Sequence, residues 1–137
     1  MESQSEGRRT VDTHRKKKMK TVICDIDGTI SKYMGAGHKK IMEQDHEVLP
    51  GVVEKFRQWE SVGHRIILIT GRRESVRQRT EDELRRMGIP FDVLLMGYAD
   101  SGRVLINDIG SKVKAHAVNV ERDAGMVDVD WERVDLD

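Results

Sequence analysis

Two aspartates interrupt an apolar segment near the start of the 137-residue chain. In the stretch VICDIDGTI, residues 22–30, Asp25 and Asp27 follow apolar residues, and Gly28 comes directly after them. Side chains two residues apart in a strand point to the same side, so the two carboxylates can share one site. Neighbouring carboxylates repel each other unless a cation lies between them, and Mg²⁺, which prefers oxygen ligands, suits such a pair.

Two later segments also carry polar groups at the ends of apolar runs. Thr70 ends the run RIILIT and is followed by Gly71 and Arg72. Asp108 ends the run RVLIND. A hydroxyl and a guanidinium suit phosphoryl oxygens, and Gly28 lets backbone N–H groups approach a phosphate closely. A carboxylate nucleophile, a divalent cation and phosphate donors together predict phosphoryl transfer through an aspartyl-phosphate.

The hydrophobic pattern predicts an α/β architecture. Short apolar runs of strand length predict five strands, at residues 21–24, 65–70, 91–96, 103–108 and 115–120. Strands that alternate with helices favour a mostly parallel central sheet with both faces covered. Ligands of such sheets bind beyond the carboxyl ends of the strands. The polar residues described above therefore meet at one edge of the predicted sheet.

Two helices are predicted between these strands. The first begins near Pro50 and ends near Gly63, with its apolar face formed by Val52, Phe56 and Trp59. The second runs from about residue 74 to residue 87 and is ended by a glycine, with its apolar face formed by Val76, Thr80, Leu84 and Met87.

Three motifs resemble those of the haloacid dehalogenase superfamily. DIDGTI resembles its first motif, DxDGT, LITGRR resembles the second, and LINDIGSK resembles the fourth, in the same order along residues 20–120. The resemblance implies a three-layer Rossmann-like fold and a magnesium-dependent phosphatase. The implied substrate is a small sugar or nucleotide phosphate.

The resemblance also implies a task for each motif residue. Asp25 is the implied nucleophile, and Asp27 is the implied general acid and then general base. The implied magnesium ligands are Asp25, the main-chain carbonyl of Asp27, and Asp108. Thr70 is implied to hold a phosphoryl oxygen. The remaining residues predicted to contact phosphate or substrate are Gly28, Thr29, Gly71, Arg72 and Lys112.

The chain departs from this family at the third motif, which is usually a lysine. No lysine occurs between Thr70 and Asp108. An arginine can supply the same positive charge with a forked geometry. We expect Arg103 to take this position on the ground of chain order, with Lys112 as the next choice.

Residues 31–49 and 71–91 are too short to hold the cap domain that many members of this family insert there. We therefore expect a capless enzyme, whose open site either is covered by a second copy of the chain or acts on large substrates. An open site also suits a second hypothesis, a polynucleotide end phosphatase. A third hypothesis is a non-catalytic phosphoacceptor or binding protein on the same fold.

Composition sets further expectations. The formal net charge is zero, and the length predicts one domain. We expect a basic arm over residues 1–19, the phosphatase domain over residues 20–122 and an acidic tail over residues 123–137. The single cysteine, the polar N-terminus and the lack of a long apolar run favour a soluble cytoplasmic protein without a membrane partner. The loop histidines His38 and His46 are expected to be exposed.

Overall fold

The structure of the chain is a computed structural model. It describes residues 19–35, 45–98, 101–108, 110 and 114–133. The predicted residues His38 and Lys112, and nearly all of the predicted basic arm, lie outside the described residues.

The described strands form one parallel sheet in chain order. They are β1 (Thr21–Asp25), β2 (Arg65–Thr70) and β3 (Val93–Met96). The register pairs Asp25 with Ile69, and Thr70 with Met96, so the carboxyl ends of the strands lie at one edge. The predicted α/β class with a mostly parallel sheet is confirmed.

Two helices connect the strands. Helix α1 (Val52–Val62) lies between β1 and β2, and a short 3-10 turn (Glu74–Val76) and helix α2 (Arg77–Met87) lie between β2 and β3. The predicted apolar face of α1 is confirmed, since Val52, Phe56 and Trp59 are buried. Both helices end at glycines with positive φ, which an L side chain rarely adopts.

The hydrophobic core lies on one face of the sheet. Cys24, Leu68 and Leu94 form one cross-strand row on that face and are buried together with the apolar faces of α1 and α2. On the opposite face, Ile23 and Val93 are exposed. Among the residues that the structure describes, both helices therefore lie on the core face of the sheet.

The prediction of strands at residues 103–108 and 115–120 is wrong, since the structure describes both segments without a strand. Both segments are irregular, and Val104 and Ile106 are 88% and 87% exposed. A short apolar run forms a strand only when a neighbouring strand pairs with it, and no pairing of these segments is described.

Part of the predicted acidic tail packs against the domain. The Met126 side chain is buried in the core, and its backbone N–H donates a hydrogen bond to the carbonyl of Pro50. The Trp131 ring lies 5.5 Å from the Trp59 ring, centroid to centroid. Residues 123–132 are therefore held against α1 and the turn that precedes it.

Candidate functional site

The DIDGTI segment leaves the carboxyl end of β1 in a tight turn. The N–H of Gly28 donates to the carbonyl of Ser31 at 2.7 Å, and the N–H of Ile30 donates to the carbonyl of Ile26 at 2.8 Å. Gly28 has a φ of +87°, and a Cβ built there would lie 3.2 Å from Cγ of Arg122. The turn therefore requires glycine at this position, and it already uses the Gly28 N–H that was expected to face phosphate.

Asp25 is the more exposed of the two aspartates in this turn. Its side chain is 39% exposed, and Nη1 of Arg103 lies 3.5 Å from its Oδ1. Burial raises the pKa of the Asp25 carboxyl, whereas the charge of Arg103 and the N–H of Ile26 oppose that shift. Arg103, chosen from chain order, does lie beside the predicted nucleophile.

Asp27 is held by a bidentate ion pair. Arg72 donates from Nη2 to Oδ1 at 2.7 Å and from Nε to Oδ2 at 3.0 Å. Burial opposes the charge of Arg72, but its hydrogen bonds to Asp27, and the charges of Asp27 and Glu83, outweigh burial and raise its pKa. Both Asp27 oxygens thus accept from one rigid, charged group.

The other edge of Arg72 faces the interior. Its Nη1 donates to Thr80 Oγ1 at 3.0 Å and to Glu83 Oε1 at 3.1 Å. The second Glu83 oxygen bonds to Nδ1 of His46. All four residues of this network are buried: Arg72, Thr80, Glu83 and His46. The expectation that His46 is exposed is therefore wrong.

Thr70 lies at the end of β2 but faces the core. Its side chain is buried, and its Oγ1 accepts a hydrogen bond from the Arg72 N–H at 3.1 Å. Asp25 and Ile69 lie in the neighbouring cross-strand row, whose side chains point to the opposite face. Thr70 is thus near Asp25 along the edge of the sheet, with its hydroxyl engaged in the turn that follows β2.

Asp108, the third predicted magnesium ligand, lies in the irregular segment that contains Arg103. Its side chain is exposed, and its Oδ1 accepts a hydrogen bond from the Gly110 N–H at 2.8 Å. Among the residues that the structure describes, no three acidic, histidine or cysteine side chains are grouped closely enough to hold a metal. Asp25 and Asp108 both offer the oxygen ligands that magnesium prefers.

The segment after residue 120 reaches the same turn, which the sequence did not predict. The N–H of Asp123 donates to the carbonyl of Gly28, and its Oδ1 accepts from the Tyr33 N–H, both at 2.8 Å. The Arg122 guanidinium lies over the Tyr33 ring, 4.1 Å from its centroid. The signal that could have indicated this contact is the turn sequence RDAG, in which Asp123 and Gly125 both adopt positive φ.

A cavity of about 340 Å³ lies elsewhere on the molecule. Its lining comes from residues 116–131 and includes Trp131. None of the predicted site residues that the structure describes lines it. The candidate site is therefore the open end of β1 rather than an enclosed pocket.

The comparison with protein families decides the relationship. Residues 22–117 match the model described as the LNS2 domain of PITM 1-3. The chain belongs to the LNS2-domain family. LNS2 domains have the haloacid dehalogenase-like fold, in agreement with the motifs and the parallel sheet.

Two curated relatives share the name membrane-associated phosphatidylinositol transfer protein 3, one from Mus musculus and one from Homo sapiens. This LNS2 chain is 35% identical to each over 72 residues. That stretch is 53% of the chain and only 7% of each relative. Within the described part of the chain, neither helix has the length and apolar character needed to cross a bilayer.

Two solved structures of the Pnkp1/Rnl/Hen1 complex contain a similar fold. One is 28% identical with a TM-score of 0.51, and covers 76% of this chain and 36% of the other. The second, named as an RNA repair complex, is 27% identical with the same TM-score, and covers 74% and 32%.

Proposed function

We propose that this LNS2 domain is a magnesium-dependent phosphohydrolase of the capless type, cleaving phosphate monoesters through an aspartyl-phosphate. The observation that supports it most is the half-exposed carboxylate of Asp25, beside the guanidinium of Arg103. A second carboxylate, that of Asp27, follows two residues later and forms an ion pair with the buried Arg72. The proposed substrate is a small sugar or nucleotide phosphate, reached in the cytoplasm through an open site that a second copy covers.

The proposed chemistry assigns each step to a residue of this turn. A carboxylate oxygen of Asp25 attacks phosphorus, the bond from phosphorus to the leaving oxygen breaks, and Asp27 gives that oxygen a proton. Asp27 then takes a proton from the water that attacks the aspartyl-phosphate, which releases inorganic phosphate and restores Asp25. Arg103 supplies positive charge to the phosphoryl group in place of a lysine.

The remaining assignments are proposed on donor chemistry. Bound Mg²⁺ would neutralise negative charge on Asp25 and the phosphoryl group, with Asp108 and the carbonyl of Asp27 as further ligands. The phosphoryl contacts proposed come from the two turns that follow β1 and β2, together with one later lysine: Thr29, Thr70, Gly71 and Lys112. Gly28 is proposed to shape the first turn, and Arg72 to act through Asp27.

Replacement of the nucleophile tests this function. Initial rates are measured on a panel of sugar phosphates, nucleoside monophosphates and end-phosphorylated oligonucleotides, in Mg²⁺ and in EDTA. We expect Mg²⁺-dependent release of inorganic phosphate from at least one class, and a loss of roughly 10³-fold or more in Asp25→Asn. Turnover that is unchanged in Asp25→Asn contradicts the assignment of the nucleophile.

A polynucleotide end phosphatase is the first alternative, favoured by the likeness to a chain of the RNA repair complex. The oligonucleotides of the panel separate it from the small-molecule proposal. Release of phosphate from oligonucleotide ends, with none from the sugar phosphates or nucleoside monophosphates, favours this alternative.

Binding of a phosphorylated ligand without turnover is the second alternative. It is favoured by Asp27, whose two oxygens are both engaged by Arg72, and by the lack of a metal-binding group of three acidic, histidine or cysteine side chains among the described residues. The named relatives make a phosphorylated lipid headgroup one ligand to include. Saturable binding with no Mg²⁺-dependent phosphate release on the whole panel favours this alternative.

A further inference from the structure

Glu83 is a buried carboxylate to which the proposed reaction assigns no step. Its side chain is 1% exposed, and removing a carboxylate from water is costly unless its oxygens are paired. Oε1 accepts from Nη1 of Arg72 at 3.1 Å. Oε2 accepts from the backbone N–H of His46 at 3.1 Å and is bonded to its Nδ1. Both oxygens are therefore satisfied, so the burial is stable.

The same contacts settle the tautomer of His46. An ionised carboxylate only accepts hydrogen bonds, so Nδ1 of His46 carries a hydrogen. The preceding residue, Asp45, forms ion pairs with Arg79 and Arg86 of α2. Residues 45–46 are thus docked on the helix that carries Glu83, and they fix the orientation of its carboxylate.

Glu83 in turn fixes Arg72 from the side away from Asp27. Nη1 of Arg72 is held by Thr80 and Glu83, whereas Nε and Nη2 face Asp27. The guanidinium is planar and rigid, so anchoring Nη1 also sets the direction of the edge that meets Asp27. Arg72 would keep this orientation even if one of its bonds to Asp27 were released.

We propose that Glu83, held by His46, is a positioning residue for the proton transfer by Asp27. This inference rests on the proposed phosphohydrolase function. Because both Asp27 oxygens accept from Arg72, Asp27 must release one of these bonds to hold or deliver a proton. An arginine bound to Asp27 alone would follow the moving carboxylate. Arg72 stays in place because Glu83 and Thr80 hold its other edge, and Asp27 returns to one fixed geometry.

A change of leaving group separates positioning from general support of the fold. The value of kcat/KM reports the steps up to the aspartyl-phosphate, in which Asp27 protonates the leaving oxygen. A p-nitrophenolate leaves readily without that proton, whereas a phenolate depends on it. We therefore measure kcat/KM for phenyl phosphate and p-nitrophenyl phosphate in wild type, Glu83→Gln and His46→Gln. Asp82→Asn, an exposed acid next to Glu83 on α2, is the matched control.

We expect the ratio of kcat/KM, phenyl over p-nitrophenyl phosphate, to fall roughly tenfold or more in Glu83→Gln. A fall of about threefold is expected in His46→Gln, and no change in Asp82→Asn. If Glu83→Gln does not fold by circular dichroism, His46→Gln, which leaves the Glu83–Arg72 pair intact, decides the question. Equal losses on both esters, or no loss, overturn the positioning inference while the proposed function stands. A wild-type protein that hydrolyses neither these esters nor the panel overturns both.

Discussion

The two aspartates of the DIDGTI turn each contact an arginine, but in opposite surroundings. Arg72 is 1% exposed and makes two hydrogen bonds to Asp27, whereas Arg103 is 36% exposed and approaches Asp25 only at 3.5 Å. The Arg72 side is anchored in the core through α2. The Arg103 side belongs to an exposed irregular segment. The Asp27 side of the candidate site is therefore held from the core, while the Asp25 side is open to solvent.

Removal of each arginine gives the largest expected contrast. Arg72→Ala leaves the buried carboxylate of Glu83 and the partly buried one of Asp27 without their counterion, which we expect to cost about 3–5 kcal/mol of unfolding free energy. Arg103→Ala removes only an exposed pair and is expected to cost less than about 1 kcal/mol. Urea unfolding of both variants measures the difference. Equal losses of stability would show that the two sides do not differ in this way.

The contribution of Asp25 to the pH dependence of stability probes the open side. Burial raises the pKa of Asp25 above its ordinary value of 3.8 in the folded protein. As pH rises above 3.8, the unfolded chain loses this proton first, so the folded state binds more protons and its stability falls. The penalty is complete once pH exceeds the folded pKa.

Asp25→Asn removes that titration. We expect the variant to gain stability relative to wild type as pH rises from 3.8 towards neutrality, and to lose the advantage below 3.8. Urea midpoints are measured in EDTA from pH 3 to pH 8. A difference between the two proteins that is constant with pH would contradict a raised pKa at Asp25.

The open side with Asp25 and Arg103, and the buried side with Arg72 and Glu83, also differ in how well the sequence predicts them. Asp25 and Asp27 could be identified from the sequence because they form a local pattern. Two acids end an apolar strand, and a glycine follows them. Arg103 could be chosen from chain order, and the structure does place it beside Asp25. The two helices follow from periodicity and from the glycines that end them.

Glu83 and His46 could not be predicted in this way. Charged residues are almost never fully buried unless they are paired, so an acid on a helix is expected to be exposed. The partners of Glu83 are 11 residues away at Arg72 and 37 residues away at His46, distances that no local pattern reports. The strand predicted at residues 103–108 failed for a similar reason, because strand formation depends on a partner segment that the apolar run itself does not specify.

Cys24 marks where the open side of the candidate site ends. It directly precedes Asp25 but lies on the core face of β1. Burial, together with the charge of Asp25, raises the pKa of its thiol to about 12, although the charge of Arg103 opposes the shift.

The thiol is therefore expected to stay protonated in the folded protein, and alkylation by iodoacetamide at pH 8 should be roughly a thousandfold slower than in urea. The comparison is made by mass spectrometry over a time course, since Cys24 is the only cysteine of the chain and each adduct reports that site. Rapid labelling of the folded protein would mean that the openness around Asp25 extends through β1 into the core. Slow labelling would confine it to the face of β1 that carries Asp25, which is the face that the proposed function assigns to substrate.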